Sequence, residues 1–497
     1  MKKHFFLVIF TLIVALGIGL RLYGITEFPP SPYWEEVALG YDAYSILETG
    51  KDHHGNSFPV VAFESFGDWK PSLYFYILVP FIKFFGLTTL AIRLPAVLSG
   101  ISIVIGIGVL IRYLVKEKDR DKMQLMAMAI TAISPWAIQF SRAGWEVNLA
   151  TALILWGVVL FTKELESNKN KPIFLFSSII LLSLSMYSYH SARVVAPLLG
   201  AGLALIWIQK KQKRITELII PTLVALILVS PIIISLGKNQ TTQRFAETSI
   251  FSDLTIIEES NLRKEQVNNS FLGKVIYHRY VLFGKEVLIN FFNHFQGDFL
   301  FISGDKNPRH SIQYMGTFYH FEAAFLILGA YALFSRKIKY RWFLLWWLVI
   351  GLIPASLSKN TPHALRILPT LPIWIVIISL GIREILEMFG GYKKTLAVLI
   401  ALIYLGELSM FWRFYYKIYP QIYANEWQYG YQEKILEIEA LRLQNPDQII
   451  NVSRKDGRPA MYYWFYTKTD PREVQLENKT AKKDQGEFLE FKNLRFE

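Results

Sequence analysis

Residues 4–36 read HFFLVIFTLIVALGIGLRLYGITEFPPSPYWEE. From His4 to about Leu20 the segment is apolar for close to the ~20 residues that cross a bilayer. It follows Lys2 and Lys3, and it ends in a bulky, arginine-bearing stretch, Gly17 to Tyr23, where a signal peptide would carry small residues for cleavage. A retained span is therefore expected. Prolines 29, 30 and 32 break the chain next, and the pair Glu35-Glu36 opens a short helical pattern with its carboxylates at a helix N-terminus. Further apolar runs lie at roughly 95–111, 123–140, 147–162, 172–189, 194–209, 217–236, 320–335, 342–357, 367–382 and 395–411. The expectation is a polytopic α-helical membrane protein with about eleven transmembrane helices.

Composition agrees. Of 497 residues 52% are apolar and 19% charged, with a mean hydropathy of +0.28, which excludes an ordinary water-soluble domain, disorder and coiled coil. A net charge of +13 would suggest nucleic acid in a soluble protein. Here the excess sits in short basic loops, 112–122, 163–171, 210–214, 336–341 and the stretch holding Arg383, Lys393 and Lys394, which all fall on one side if the first helix runs outward. Residues 71–87 are apolar too, but counting them as a span would invert every later loop. They are read as an amphipathic helix in the outer interface. Cysteine is absent, so disulfides and thiolate metal sites are excluded. The middles of the spans lack ionisable groups, which argues against an ion-coupled transporter.

Chemistry is left to the outer face, where the polar residues gather. The first outer loop, 23–94, holds Glu35-Glu36 between Trp34 and Tyr41, then the stretch Ser65 to Tyr74 with Asp68, Trp69 and Lys70, then Arg93-Leu94-Pro95. The next brings Arg142 and Glu146, four apart; the third brings His190 and Arg193; a later one, 358–366, brings His363 and Arg366. Singly these have bland readings: a solvated acidic turn, snorkelling cations, a helical ion pair. Together they place carboxylates opposite arginines and histidines on one side. That is a pattern suited to a lipid-borne phosphate, with guanidinium forks on its oxygens and a carboxylate to take a proton from an attacking hydroxyl.

At these residues the sequence resembles the GT-C superfamily of membrane glycosyltransferases. It is similar to the bacterial dolichyl-phosphate-mannose protein mannosyltransferase and aminoarabinose transferase families, of glycosyltransferase family 39/83 type. The resemblance runs from Arg21 to about Arg366 through Arg21-Leu22-Tyr23, Tyr33-Trp34-Glu35-Glu36, Gly67 to Tyr74, Arg93-Leu94-Pro95, Ser134-Pro135-Trp136, Phe140-Ser141-Arg142 and Pro362-His363 with Arg366. It implies an inverting enzyme that moves a sugar from a polyprenyl-phosphate-linked donor to a hydroxyl of a protein, lipid or glycan acceptor. Glu35-Glu36 fills the place of an Asp-Glu pair, one methylene longer at the first position, with Glu35 the base and Glu36 in support. Glu146 matches a second acidic position that orients the acceptor or binds a divalent ion, Mg or Mn. Lys70, Arg142, His190, Arg193, His363 and Arg366 are candidates for the donor phosphate and sugar. Alternatives are a glycan polymerase or ligase using a polyprenyl-diphosphate donor, and a flippase or transporter of lipid-linked sugars.

The expected organisation is a GT-C catalytic domain over 1–411 and a small C-terminal α/β domain on the outer side over 412–497. In the second, a helix is predicted near 431–443 and a strand near 460–467 (AMYYWFYT). The polar loop 237–319 is read either as a lid or as a packing subdomain. A prokaryotic plasma membrane, with the site on its extracytoplasmic side, is the expected location.

Overall fold

The computed structural model describes residues 3–167, 172–210, 216–237 and 247–497, so parts of two of the basic loops, 168–171 and 211–214, lie outside the described residues. The membrane part begins with α1 (Lys3–Leu22). The first outer loop then folds as α2 (Trp34–Thr49), a hairpin of β1 (Ala62–Ser65) and β2 (Asp68–Pro71), and α3 (Leu73–Phe85). Next come α4 (Thr89–Leu114), α5 (Arg120–Ile133), the short α6 (Pro135–Gln139), α7 (Glu146–Glu166), α8 (Pro172–Ser185), α9 (Ala192–Lys210) and α10 (Ile219–Ser235). The large loop carries α11 (Leu254–Gln266) and α12 (Arg279–Asn293). The bundle closes with α13 (Glu322–Ser335), α14 (Arg341–Ser356), α15 (Leu371–Met388) and α16 (Lys393–Arg413).

Each of the eleven apolar runs is thus helical. Six helices among the described residues are long and apolar enough to cross a membrane: Lys3–Leu22, Thr89–Leu114, Glu146–Glu166, Ala192–Lys210, Thr216–Ser235 and Gly390–Ile422. This is an integral membrane protein. The other runs form helices of 14 to 18 residues. Among them α15 is buried almost all round, from Leu371 to Ile382 without a break, which marks it as a central helix. It meets α13 through glycine: a Cβ at Gly329 would lie 1.8 Å from the Ile377 carbonyl oxygen, and one at Gly381 would lie 1.9 Å from that of Phe325. Small residues at such crossings let backbones touch in a membrane, where van der Waals packing replaces the hydrophobic drive.

Three arginines with no exposed surface, Arg21, Arg93 and Arg142, fasten one end of these helices. Arg21 donates to the carbonyls of Ala132 (2.9 Å) and Thr131 (3.3 Å), tying α1 to α5. Arg142 donates to the carbonyls of Leu20, Arg21, Tyr23, Gly24 and Phe28 and lies 5.2 and 5.1 Å from the rings of Tyr415 and Tyr416. A helix end leaves carbonyls without partners, and the guanidinium fork can satisfy several at once.

After α16 the chain stays helical through Ile422, so the boundary expected at 411 falls inside a continuous helical stretch. Beyond it lie α17 (Tyr431–Gln444), β3 (Ile450–Val452), α18 (Pro459–Tyr466), α19 (Pro471–Glu477) and the short strands β4 (Lys483–Asp484), β5 (Glu487–Phe488), β6 (Glu490–Phe491) and β7 (Leu494–Phe496). The order β3-β7-β6 forms the largest sheet, with β3 parallel and β6 antiparallel to β7. The run predicted as a strand, 460–467, is α18. Its residues from Pro459 to Phe465 are all buried, and a segment buried on every side shows no period to separate strand from helix; Pro459 at the first turn favours the helix. Nor does this part stand alone: α18 packs on α2, and Val37, Tyr41, Phe63 and Ile92 share one core with Tyr462, Trp464, Phe488 and Phe496. In the large loop helices cover much of 254–302, and the irregular stretch after them brings Asn307, Arg309 and His310 to residues of the first outer loop.

Candidate active site

The site begins with the end of α2. Pro29, Pro30 and Pro32 hold the chain out of helix until Tyr33, whose backbone N–H donates to Glu36 Oε2 at 3.3 Å. Starting the helix there fixes two carboxylates in different surroundings. Glu36 has no exposed surface: Oε1 accepts from Arg93 Nε (3.0 Å) and the Gly144 N–H (2.8 Å), and Oε2 accepts from Arg93 Nη2 (3.2 Å). Arg93 spends its other N–H groups on the carbonyls of Ile25, Pro29 and Ser31. Glu36 therefore braces the first outer loop against the turn before α7.

Glu35, one residue earlier, faces a cavity of about 180 Å³ lined by Trp34, Lys70, Glu146, Arg309, His363 and Arg366 among others. Its Oε1 accepts from Lys70 Nζ at 2.8 Å, and its Oε2 accepts from the Tyr33 hydroxyl at 3.0 Å. Lys70 is delivered by β2, through the register Phe63↔Lys70, and its ammonium also lies 3.5 Å from Asp68. Burial, with Glu35, Glu146 and Glu36 nearby, pushes the Tyr33 phenol well above its ordinary value, so it stays a donor to Glu35. Glu146 enters at the first residue of α7, where the helix dipole favours a carboxylate.

The far wall comes from two loops that are distant in sequence. Arg309 lies 4.9 Å from the Trp34 ring and 5.3 Å from that of Tyr33, which holds its guanidinium over the mouth of Glu35. Behind it Asp305 Oδ2 accepts from the Ala364 N–H (2.7 Å), lies 3.1 Å from His310 Nδ1 and lies 3.6 Å from His363 Nδ1. Burial pushes the Asp305 carboxyl up, but His310 and the Asn307 N–H more than offset that and hold it well below the usual carboxylate range. Burial drives His363 well below its ordinary value and His294 down to about 4, so both imidazoles are neutral. His294 donates from Nδ1 to the Asn290 carbonyl and accepts the His363 N–H at Nε2, a bracing role.

Asp305, His310 and His363 form the one group among the described residues whose donor atoms converge as metal ligands would, within 4.8 Å of one another. His363 Nδ1 is buried without a hydrogen bond, and ligands of one tetrahedral ion stand about 3.4 Å apart. Two nitrogens and one carboxylate suit zinc or a similar transition metal better than Mg or Mn, which prefer oxygen. Glu146, the expected ligand, is not in this group.

Of the residues predicted from sequence, Glu35, Lys70, Glu146, His363 and Arg366 line the cavity together. Glu36 and Arg142 lie beneath it: Glu36 is held by the contacts described above, and Arg142 gives its Nη atoms to five backbone carbonyls while its Nε is buried without a hydrogen bond. His190 sits behind the hairpin with Nε2 2.8 Å from the Trp69 carbonyl oxygen, and Arg193 donates to the Met186 carbonyl (3.2 Å). Asp305, Asn307, Arg309 and His310 were not singled out, although Pro308-Arg309-His310 pairs an arginine and a histidine beside a proline as Pro362-His363 and Arg366 do.

No family model matches the sequence, and no curated protein does. Solved structures do resemble the fold. ArnT from Cupriavidus metallidurans bound to undecaprenyl phosphate aligns over 94% of this chain and 85% of its own, at 10% identity and a TM-score of 0.52. The archaeal oligosaccharyltransferase AglB from Archaeoglobus fulgidus, in complex with an inhibitory peptide and a dolichol-phosphate, aligns over 94% of this chain at 12% identity and a TM-score of 0.55. This chain spans 64% of AglB's length. The Archaeoglobus fulgidus oligosaccharyltransferase complex with Zn and sulfate gives a TM-score of 0.56 at 11% identity, over 92% of this chain and 61% of its own.

Proposed function

With the fold of the GT-C membrane glycosyltransferases as premise, we propose that this chain transfers a sugar from a polyprenyl-phosphate-linked donor to an acceptor hydroxyl, with inversion at the anomeric carbon. The observation that carries the reading is Glu35: a carboxylate in a small polar cavity, held by Lys70 and Tyr33 and faced by Arg309 and Arg366. Glu35 takes the acceptor's proton as its oxygen bonds to the anomeric carbon. The bond from that carbon to the phosphate oxygen breaks on the opposite side, and polyprenyl phosphate leaves with the electron pair. Arg366, Arg309 and Lys70 stabilise the charge that develops on it. Glu146 orients the acceptor. A zinc-class ion, when bound by Asp305, His310 and His363, supplies Lewis-acid attraction for phosphate oxygens. The acceptor is a protein, lipid or glycan hydroxyl. The segment 412–497, whose core is continuous with the first outer loop, takes part in selecting it.

The basic loops stand at the ends of α4 and α7 away from the cavity, which supports a site on the extracytoplasmic side of a prokaryotic plasma membrane. The test is mass spectrometry of lipid products after the protein in nanodiscs meets a panel of polyprenyl-phosphate sugars, wild type beside Glu35→Gln. Release of polyprenyl monophosphate, reduced about 10² to 10⁴-fold in the variant, is expected for a general base. Turnover of diphosphate donors alone would point instead to a polymerase or ligase. Donor movement across the bilayer without cleavage, unchanged in Glu35→Gln, would point to a flippase.

A further inference from the structure

At the opposite end of the same helices lies a second, larger cavity. Glu146 and Glu166 bound α7, and about 20 residues at 1.5 Å each put some 30 Å between the two ends. The cavity, of about 620 Å³, is open and is lined by Phe6 of α1, Val109, Arg112 and Tyr113 of α4, and Arg120 and Gln124 of α5, with Glu166 at its edge. Its charge is settled by named pairs. Arg112 donates to Asp121 (2.8 Å) and to Gln124 Oε1 (2.6 Å). Glu166 accepts from Lys210 and Lys339, both at 2.8 Å, and from the Tyr340 hydroxyl. Of the residues that line the cavity, two arginines thus face one carboxylate, Glu166, which is already paired with two lysines. Asp119, next to Arg120, lies 3.3 Å from Arg383, a pair that adds no net charge. Arg120 Nε is buried without a hydrogen bond. Arg120 thus stands on the wall of a cavity large enough for a headgroup with one N–H unsatisfied, and its guanidinium has capacity left for an anion.

We propose that this cavity binds the phosphate headgroup of an anionic phospholipid from the leaflet opposite the candidate active site. Arg112 and Arg120 form the phosphate contacts. A lipid, rather than a soluble anion, follows from the remaining wall. Phe6 and Val109 continue onto the outer surface of α1, where Phe5, Leu7, Val8 and Leu12 are exposed by 56, 50, 44 and 63%, so acyl chains have an apolar surface to lie along. Basic pockets between helices at this depth suit anionic headgroups. Such a lipid would join α1, α4, α5 and the end of α7, without touching any residue of the candidate active site.

The test is native mass spectrometry of the delipidated full chain titrated with phosphatidylglycerol, or with phosphatidylcholine of the same tails. Wild type is expected to prefer phosphatidylglycerol by about ten- to thirtyfold, from two arginines near the surface. Arg112→Gln with Arg120→Gln loses that preference. Lys118→Gln with Lys122→Gln, which removes the same charge from exposed positions of the same loop, keeps it. Equal binding of both lipids by wild type, or equal loss in both double variants, overturns the proposal. So does displacement of phosphatidylglycerol by millimolar inorganic phosphate, which would identify a soluble anion as the occupant. Because Arg112 also holds Asp121, Arg120→Gln alone is measured beside the pair; an unchanged preference there, with lost folding in the double variant, counts against the site.

Discussion

Replacing Glu36 tests the division of labour between the two adjacent carboxylates. Glu36 and Arg93 are both fully buried, and the carboxylate takes hydrogen bonds from Arg93, the Gly144 N–H and the Tyr33 N–H. In Glu36→Gln one oxygen becomes an NH₂ that faces donors, and Arg93 is left as a buried cation without its counter-charge. Breaking such a pair costs about 3–5 kcal/mol, a large share of the ~5–15 kcal/mol that holds an ordinary domain together. The expected result is a clear fall in the thermal unfolding midpoint in nanodiscs and a low yield of folded protein. Glu35→Gln, at a position partly open to the cavity, should melt like wild type while losing turnover. A second arm measures Glu36→Leu with Arg93→Met. Removing both charges should recover part of the loss but not all, because the Ile25, Pro29 and Ser31 carbonyls lose their donor at about 1 kcal/mol each. A Glu36→Gln protein that melts like wild type yet turns over no donor would refute the reasoning and make Glu36 the base.

Arg142→Lys should lower the melting midpoint, by about 2–4 kcal/mol for the carbonyls it leaves without donors, and leave donor KM unchanged in the protein that still folds. A donor KM raised tenfold at wild-type stability would return Arg142 to the phosphate. Zinc added to the metal-stripped chain should raise the melting midpoint of wild type, by about 3 kcal/mol equivalent at a hundred times Kd, and not that of His310→Asn with His363→Asn; equal shifts in both would remove the site. Gly381→Val should abolish folding, since its Cβ would meet the Phe325 carbonyl oxygen; normal yield by size-exclusion chromatography would contradict the helix contact.

Stability should also peak near pH 6.5, through a cluster that joins α2 to the C-terminal segment. Burial pushes Asp42 up to about 7 and His53 down to about 4, with 2.6 Å between Asp42 Oδ1 and His53 Nδ1. Between pH ~4 and ~6.5 the folded pair holds one proton and the unfolded pair also holds one, so the pair adds no pH dependence there. Above that range the unfolded pair holds none, and the stability given by the raised Asp42 is lost as pH rises through about 7. Burial, reinforced by His53, lowers His54 to about 4, so its contribution is lost as pH falls from ~6.5 toward that value. Melting curves of His54→Asn should show a shallower acid limb, the remainder coming from the buried His363 and His294, and those of Asp42→Asn a shallower alkaline one; unchanged limbs would refute the assignment.

The eleven helices were legible because each is an apolar run bounded by charge, and hydropathy is a property of the local chain. The carboxylate pair was legible because prolines stop the chain just ahead of it. Period and composition went no further for residues 460–467, since a segment buried on all sides carries no alternation, and β-rich aromatics yielded to packing against α2. Sidedness gathered nine candidate residues on one face, but it could not tell a residue that lines a cavity from one that braces it. Arg142 and Arg366 carry the same group. One is consumed by five backbone carbonyls and the other reaches the cavity, a difference set by which helix ends happen to lie within about 3 Å. The same holds for Asp305, His310 and His363, brought together across 58 residues of chain that include two helices. Local pattern alone was enough to mark the apolar helical runs and to place a carboxylate at the start of α2. Only the tertiary structure decided which of those groups meet, because hydrogen-bond partners and shared cavities depend on distances between elements that no local pattern encodes.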